Sequence, residues 1–451
     1  MNNSAGAPAW LATAAAWLTP RRVRAHAIVL AVCLWGVCAV DFFRPGAFDL
    51  AANIKFQDFL SFYISGKLIA QGRTTDLYNE PLRYREMLTI AHPPDVVRET
   101  WIPPTAHSPV NVSIPNLYGP QVALVFVPLA HLPFLIAARI WVALNLLIYF
   151  ACVYAIWRCC PRLRRYTRLT ALAAIAFPPL FHVFVRGQIS ALVLACFTAA
   201  FLVLQANRLW LAGVALGFLV FKPQFLVAVP LILLLARAWK ILGGLAISSA
   251  AQLALTRTYF GSSVMHSYLD MLQHTSRWVS VAELSRAPIQ MHSLRSFWTL
   301  LIPSPTVALA LYILSSIFVI AMTAAIWKSQ LPLALKFSAL IFAAVLANPH
   351  LFVYDLLVLA PALLLITDWT LSNEDSPSSP PLRLLLYLAF VLPLFGPLSQ
   401  WTHVQLSVPV FAVILWTLHN SRNPPGTSRE DLQPIAAPWE SGPSRAAKSL
   451  Y

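Results

Sequence analysis

The sequence predicts an all-α protein that crosses a membrane many times, and three features carry that prediction. Of its 451 residues, 58% are hydrophobic and only 11% charged, where a soluble domain averages roughly a quarter charged. Mean hydropathy is +0.67. The apolar residues also gather into runs, at 26–43, 136–157, 169–185, 188–206, 208–221, 223–238, 240–259, 305–327, 332–347, 351–367, 381–396 and 401–419. A span needs about 20 apolar residues, or roughly 17 when short, so these runs predict about 12 transmembrane helices.

Taken in order, residues 1–25 form a cytoplasmic N-terminal segment: Met1 to Pro20 is a weak alanine-rich amphipathic stretch without a cleavage signal, and Arg21, Arg22 and Arg24 precede the first span as in a signal anchor. Residues 45–120 make a large first extracytoplasmic loop. The run Gln121 to Pro133 is apolar but too short to span and is interrupted by proline, so it reads as re-entrant or interfacial. One more span there would invert everything downstream. Arg158, Arg162, Arg164, Arg165 and Arg168 mark the next loop as cytoplasmic, and strict alternation then puts Arg237, Lys240, Lys328 and the C-terminal tail inside as well. A second outer loop covers 261–303; its Arg277, Arg286 and Arg295 run against the charge rule and suit an anionic ligand. Residues 421–451, rich in proline, serine and charge, read as a disordered cytoplasmic tail.

The basic excess (32 Lys and Arg against 17 Asp and Glu) fits loops lying against anionic lipid, and no nucleic-acid partner is expected. The six cysteines lie in apolar runs or a basic loop, which excludes a disulfide framework in the outer loops. Those loops also lack acidic pairs and His/Cys sets at ligand spacing, so no metal and no cofactor is expected. No cytosolic segment is long enough for a Rossmann unit, and no Walker A pattern occurs.

Polar islands at the ends of apolar runs are the candidate chemistry. By the alternation above, all of them face the same side. Asp58 is flanked by Phe56, Phe59, Phe62 and Tyr63, a pattern that suggests a half-buried amphipathic helix lying on the membrane. An apolar setting raises a carboxylate's pKa and strengthens it as a proton acceptor; the plainer reading is a solvated loop carboxylate. Lys222-Pro223-Gln224 breaks a helix and puts a cation at the break, where a phosphate can bind. A lysine snorkelling to the headgroups would look the same in sequence. Arg186-Gly187-Gln188 offers donors around a tight turn, or is a hairpin with an interfacial arginine. Asn348-Pro349-His350, with Tyr354-Asp355, supplies either ligand contacts or a helix-packing pair.

These islands fall in a recognisable order. Asp58 to Gly66, Gly72, Leu77-Tyr78, Tyr118-Gly119-Pro120, Trp141 to Asn145, Gly187 to Leu192, Ala212-Gly213, Lys222-Pro223-Gln224, Ser293-Leu294 and Asn348 to Asp355 together resemble glycosyltransferase family 87 over residues 26–420. These are polyprenol-phosphate-mannose-dependent mannosyltransferases of the GT-C superfamily. Two departures stand out: Leu-Tyr-Gly-Pro before Gln121, where the family often has a Tyr-Pro-Pro-like run, and an insertion from Arg83 to Ser113 that bears on the acceptor site.

The resemblance implies a GT-C type transmembrane domain at 26–420 in the inner (plasma) membrane, its active site facing the periplasm or exterior. It implies transfer of a hexose, mannose first, from a polyprenyl-phosphate donor to a hydroxyl of a glycolipid or glycan acceptor, with inversion. Asp58 would be the general base, Lys222, Gln224, Arg186 and His350 would lie at the donor phosphate, and Gln188, Tyr63 and Asp355 would position sugar or acceptor. The rival expectation is a multi-pass transporter or flippase for a lipid-linked solute, since broken helices and polar corners serve that task too.

Overall fold

The computed structural model describes residue 13 and residues 15–50, 54–91, 116–274, 287–374 and 376–422. Most of the 83–113 insertion, Arg277, Arg286 and the tail beyond Arg422 lie outside those residues. The described residues are mostly helical, and among them the only extended pairings are two isolated bridges, Phe48 with Ile54 and Met291 with Phe352.

Sequence punctuation sets the helix ends. α1 (Pro20–Phe43) starts on proline behind Thr19, whose hydroxyl caps the backbone of Arg22. α2 (Gln57–Ala70), α3 (Glu80–Ala91) and the short α4 (Pro120–Ala130) build the outer part, and α5 (Phe134–Arg158) spans. α6 (Thr167–Ile175), with the turn before it from Leu163, and α7 (Pro178–Arg186) form a pair bent by 41° before Pro178-Pro179. α8 (Ser190–Gln205), α9 (Leu209–Gly217), α10 (Val229–Leu235) and α11 (Trp239–Gln273) follow. α12 (Leu294–Leu301), α13 (Pro305–Lys328), α14 (Leu333–Leu346), α15 (Leu359–Ser372), α16 (Ser379–Val391) and α17 (Ser407–Asn420) complete the chain.

Each of the twelve apolar runs is a helix or helical pair, but they differ in reach. Among the described residues, five helices are long and apolar enough to cross a bilayer, six with the bent pair counted. Most of the rest are shorter, though α11 has 35 residues with a kink at Gly261: the 14 residues of α14 or α17 cover about 21 Å at 1.5 Å per residue, short of a core about 30 Å thick.

The short α9 packs tightly on α11. A Cβ on Gly213 would lie 2.0 Å from the Ile241 carbonyl oxygen, one on Gly217 2.6 Å from that of Leu245, and one on Gly244 2.2 Å from that of Trp210. Small residues spaced four apart let two backbones touch, as apolar helices in lipid must if packing is to hold them. These contacts climb together along α9 and α11, so the two helices are parallel. The chain between them therefore doubles back, with Lys222 at one end of the return and Arg237 at the other. Pro223 lacks the N–H that would continue a helix, so residues Phe218–Phe221 and Pro223–Leu226 are 3-10 turns around Lys222.

α2 departs from expectation. Eleven of its fourteen residues are buried, so it does not lie half-buried on a membrane surface. It is wedged against α4, where a Cβ on Gly66 would meet the Phe126 carbonyl oxygen at 2.6 Å, and its aromatic residues fill a core of their own with Phe126, Phe134 and Trp141. Fully buried Arg83 on α3 ties the outer part down, donating to Ser65 Oγ at 2.8 Å and Ser61 Oγ at 2.7 Å and facing Glu80 at 3.4 Å. α11 also runs past its kink at Gly261 (φ 82°) into the expected second outer loop, where Tyr268 packs on Tyr78. A second, larger core fills the bundle of α5–α10 and α13–α17. The polar islands meet at the seam between the two.

Candidate active site

Asp58 sits in the first turn of α2, which is not a span, at the helix end whose free N–H groups favour a carboxylate. It is 8% exposed. Its Oδ2 accepts from Gln188 Nε2 at 2.7 Å, and its Oδ1 lies 3.9 Å from an Arg186 guanidinium nitrogen. Burial pushes the Asp58 carboxyl above its usual range; Arg186 and then the Gln188 hydrogen bond pull it back without cancelling the rise.

The turn holding Arg186 and Gln188 is built on one glycine. Gly187 ends α7 with φ 69°, and a Cβ there would lie 2.7 Å from Phe59 Cβ. Its carbonyl accepts from Trp141 Nε1 at 2.9 Å. Arg186, half-exposed, donates to Gln57 Oε1 at 2.9 Å. The Gln188 Oε1 accepts from the Ile189 backbone N–H (3.2 Å) and the Tyr118 hydroxyl (3.1 Å), so its amide nitrogen must face Asp58. Gln188 thereby fixes the direction of the carboxylate.

The second half of the site is an ion pair. Lys222 and Asp355 side chains are 1% and 2% exposed and bond directly through Asp355 Oδ1, which also accepts from Ser190 Oγ at 2.6 Å. The Lys222 ammonium lies 5.7 Å from the Tyr118 ring centre and 5.5 Å from that of Tyr354, an aromatic box for a cation. Tyr118 therefore joins the halves, ring to Lys222 and hydroxyl to Gln188.

Of the expected residues, Asp58, Arg186, Gln188, Lys222 and Asp355 are brought together. Gln224 is half-buried on the turn after Lys222. His350 is exposed, its backbone N–H bound to Asn348 Oδ1 at 2.9 Å and its ring edge-on to Phe352. Tyr63 is elsewhere: buried against Phe59 and Phe134, it donates to the Leu132 carbonyl at 2.7 Å, so it belongs to the outer core and not to this cluster. Phe59, four residues and about one turn before Tyr63, is packed on Trp141 and Phe134, so this side of α2 faces the outer core. Lys222 is likewise not a snorkelling lysine; its charge is sunk into the fold and paired.

Four members of the cluster carried no expected role: Gln57, Tyr118, Ser190 and Tyr354. The last three adjoin islands that were read, and each brings a hydroxyl or ring that only tertiary contact makes polar-facing. Among the described residues, no three His, Cys, Asp or Glu side chains gather as a metal site would need.

The sequence pattern of glycosyltransferase family 87 matches residues 116–349. The match takes in Tyr118, Arg186, Gln188, Ser190 and Lys222, and leaves Asp58, His350 and Asp355 outside it. No curated protein and no solved structure matches the chain.

Proposed function

The chain belongs to glycosyltransferase family 87 and is a membrane glycosyltransferase; from that premise we propose that it moves a hexose, mannose first, from a polyprenyl-phosphate carrier to a hydroxyl of a glycolipid or glycan at the outer face of the plasma membrane. The observation that supports this reading most is Asp58: a buried carboxylate with raised proton affinity, aimed by Gln188 and faced by one guanidinium.

In this mechanism the acceptor hydroxyl gives its proton to Asp58 Oδ1, the oxygen that carries no close hydrogen bond to Gln188. The acceptor oxygen then attacks the anomeric carbon from the face opposite the phosphate. The bond from that carbon to the phosphate oxygen breaks, its electron pair leaves with the phosphate, and the anomeric configuration inverts. Polyprenyl phosphate departs with one more negative charge than it had as the ester.

Arg186 is the cation best placed to meet that charge. Half-exposed, among the described residues it donates to neutral Gln57 and makes a longer approach to Asp58. Once Asp58 is protonated its hold on Arg186 falls, so proton removal from the acceptor and stabilisation of the leaving group are coupled. Lys222 acts from deeper in the same low-dielectric region; its ammonium has Asp355 as partner, and a donor phosphate would share or replace that contact. Gln224 and His350, at the rim of this region, are the further donor-side candidates.

The test is direct. Purified protein in lipid vesicles is given synthetic short-chain polyprenyl-phosphate mannose, glucose or a pentose, with envelope glycolipid as acceptor. The expected result is acceptor-dependent release of polyprenyl phosphate from a hexose donor and a product anomer opposite to the donor's. Turnover of a sugar nucleotide with none of the lipid-linked donors, or a retained anomer, contradicts the proposal.

A further inference from the structure

At the end of the molecule opposite Asp58 lies a cavity. α1, α5 and α15 each run from one region to the other: Phe42 at the far end of α1 packs on Phe184, Phe134 on α5 packs on Phe59, and Asp355 leads into α15. Their other ends, around Pro20, Val153 and Thr370, wall a cavity of about 420 Å³ that also takes in α6 and α16.

The walls are dry. Thr170, Thr367 and Thr370 line the cavity, yet each hydroxyl donates to a carbonyl of its own helix or the turn before it, at Tyr166, Leu363 and Thr367. Tyr149 gives its hydroxyl to the Ala174 carbonyl. A space this size with these four hydroxyls already spent suits an apolar guest better than water. At about 30 Å³ per water, or per methylene of similar size, it has room for roughly fourteen carbons. Along α15 the lining runs from Ala360 to Leu371, which at 1.5 Å per residue is about 16 Å. That is close to one leaflet, half of a core about 30 Å thick.

The rim is polar and the ground around it basic. His26 bonds Tyr387 at 2.7 Å and Arg383 bonds Glu374 at 3.0 Å at the edge of the cavity. Arg21, Arg22 and Arg24 flank the lining residues of α1, and Arg164, Arg165 and Arg168, all exposed, flank Leu163, Tyr166 and Leu169. The acidic Asp368 nearby is already bound to the backbone N–H groups of Arg162 and Leu163.

We propose that this cavity is a structural lipid site: one acyl chain of an anionic phospholipid fills it, with the phosphate held among the arginines at its rim. The lipid belongs to the leaflet on the basic side and is neither donor nor acceptor, so the site is independent of the transfer chemistry.

Full-length protein, washed extensively in detergent, is analysed by native mass spectrometry and lipid extraction, then reloaded from vesicles of equal phosphatidylglycerol and phosphatidylcholine. One phospholipid per chain is expected after washing. On reloading, a preference for phosphatidylglycerol of about fivefold or more is expected, the effect of roughly one well-placed basic residue near the headgroups. Ala174→Trp and, separately, Ala27→Trp put an indole into the cavity and should abolish retention in protein that still melts cooperatively. Arg24→Gln with Arg168→Gln should keep a bound chain but lose the preference. The proposal is overturned if washed protein retains no phospholipid, if both folded tryptophan variants load as wild type does, or if the retained molecule is a polyprenyl phosphate.

Discussion

Replacing Lys222 by methionine keeps the length of the side chain and removes its charge, which leaves the Asp355 carboxylate, 2% exposed, without its cation and with the Ser190 hydroxyl as its remaining side-chain hydrogen bond among the described residues. Breaking a buried pair by removing one partner costs about 3–5 kcal/mol, because the orphaned charge has lost both its partner and its water. Lys222→Met should therefore be destabilised by roughly that amount, and Asp355→Asn by a comparable amount through the stranded ammonium. The double variant Lys222→Met/Asp355→Asn removes both charges and leaves Ser190 an acceptor, so it should lose less than the two single variants together, by a coupling energy of about 2–3 kcal/mol. Unfolding in one detergent at fixed pH, followed by tryptophan fluorescence, reads the cycle. Transfer should be lost in Lys222→Met and in the double variant, since both lack the cation. If Lys222→Met is as stable as wild type and the cycle shows no coupling, the pair is not a buried one and the seam between the two cores is wet.

Further expectations follow from the same geometry. Gly187→Ala must hold a Cβ at φ 69° and 2.7 Å from Phe59 Cβ; the left-handed backbone alone costs about 1–2 kcal/mol, so lowered stability with a larger loss of activity is expected from melting and transfer assays. Because Asp58 must be ionised to act and burial raises its pKa, kcat/KM should rise with pH through a value above the ordinary carboxylate near 3.9. Arg186→Gln removes the strongest force opposing that rise and should move the limb to still higher pH; an unmoved limb would dissociate Arg186 from Asp58. In a background without native cysteines, a cysteine replacing exposed His350 should react with an impermeant thiol reagent in intact spheroplasts, and one replacing Arg164 only after lysis; the reverse pattern would turn the active site inward.

Helices were easy to read from the sequence because span-length apolar runs and proline punctuation are local signals. The breaks at Gly187 and Lys222 were legible for the same reason. What each break faces was not. Asp58 among phenylalanines looked like a surface helix because an aromatic stripe is the same in sequence whether it meets lipid or a second helix; only the close seat of Gly66 on Phe126 distinguishes the two. Tyr63 was drawn toward the site by nearness to Asp58 in the chain, yet five residues along a helix is more than one turn away and its hydroxyl belongs to Leu132. The Lys222–Asp355 pair is separated by 133 positions, and no local pattern announces a contact that long. Tyr118 shows the same limit: next to a glycine and a proline it reads as a turn, while its place between Gln188 and Lys222 is set wholly by tertiary packing.

The central claim is that Asp58 is the base of the transfer, and Asp58→Asn tests it most directly. Asparagine keeps the shape and an oxygen for Gln188 but cannot take the acceptor's proton. The raised pKa means that ionised Asp58 weighs against the fold: its stabilising contribution is full below about pH 3.9 and is lost as pH rises through the folded value. At pH 7 the variant should thus melt no lower than wild type. Turnover with saturating lipid-linked donor should fall by about 10² or more, a barrier increase of about 2.7 kcal/mol, while donor binding measured without acceptor is retained. A folded Asp58→Asn protein transferring within a few-fold of the wild-type rate would contradict the account and move the search for the base to Asp355.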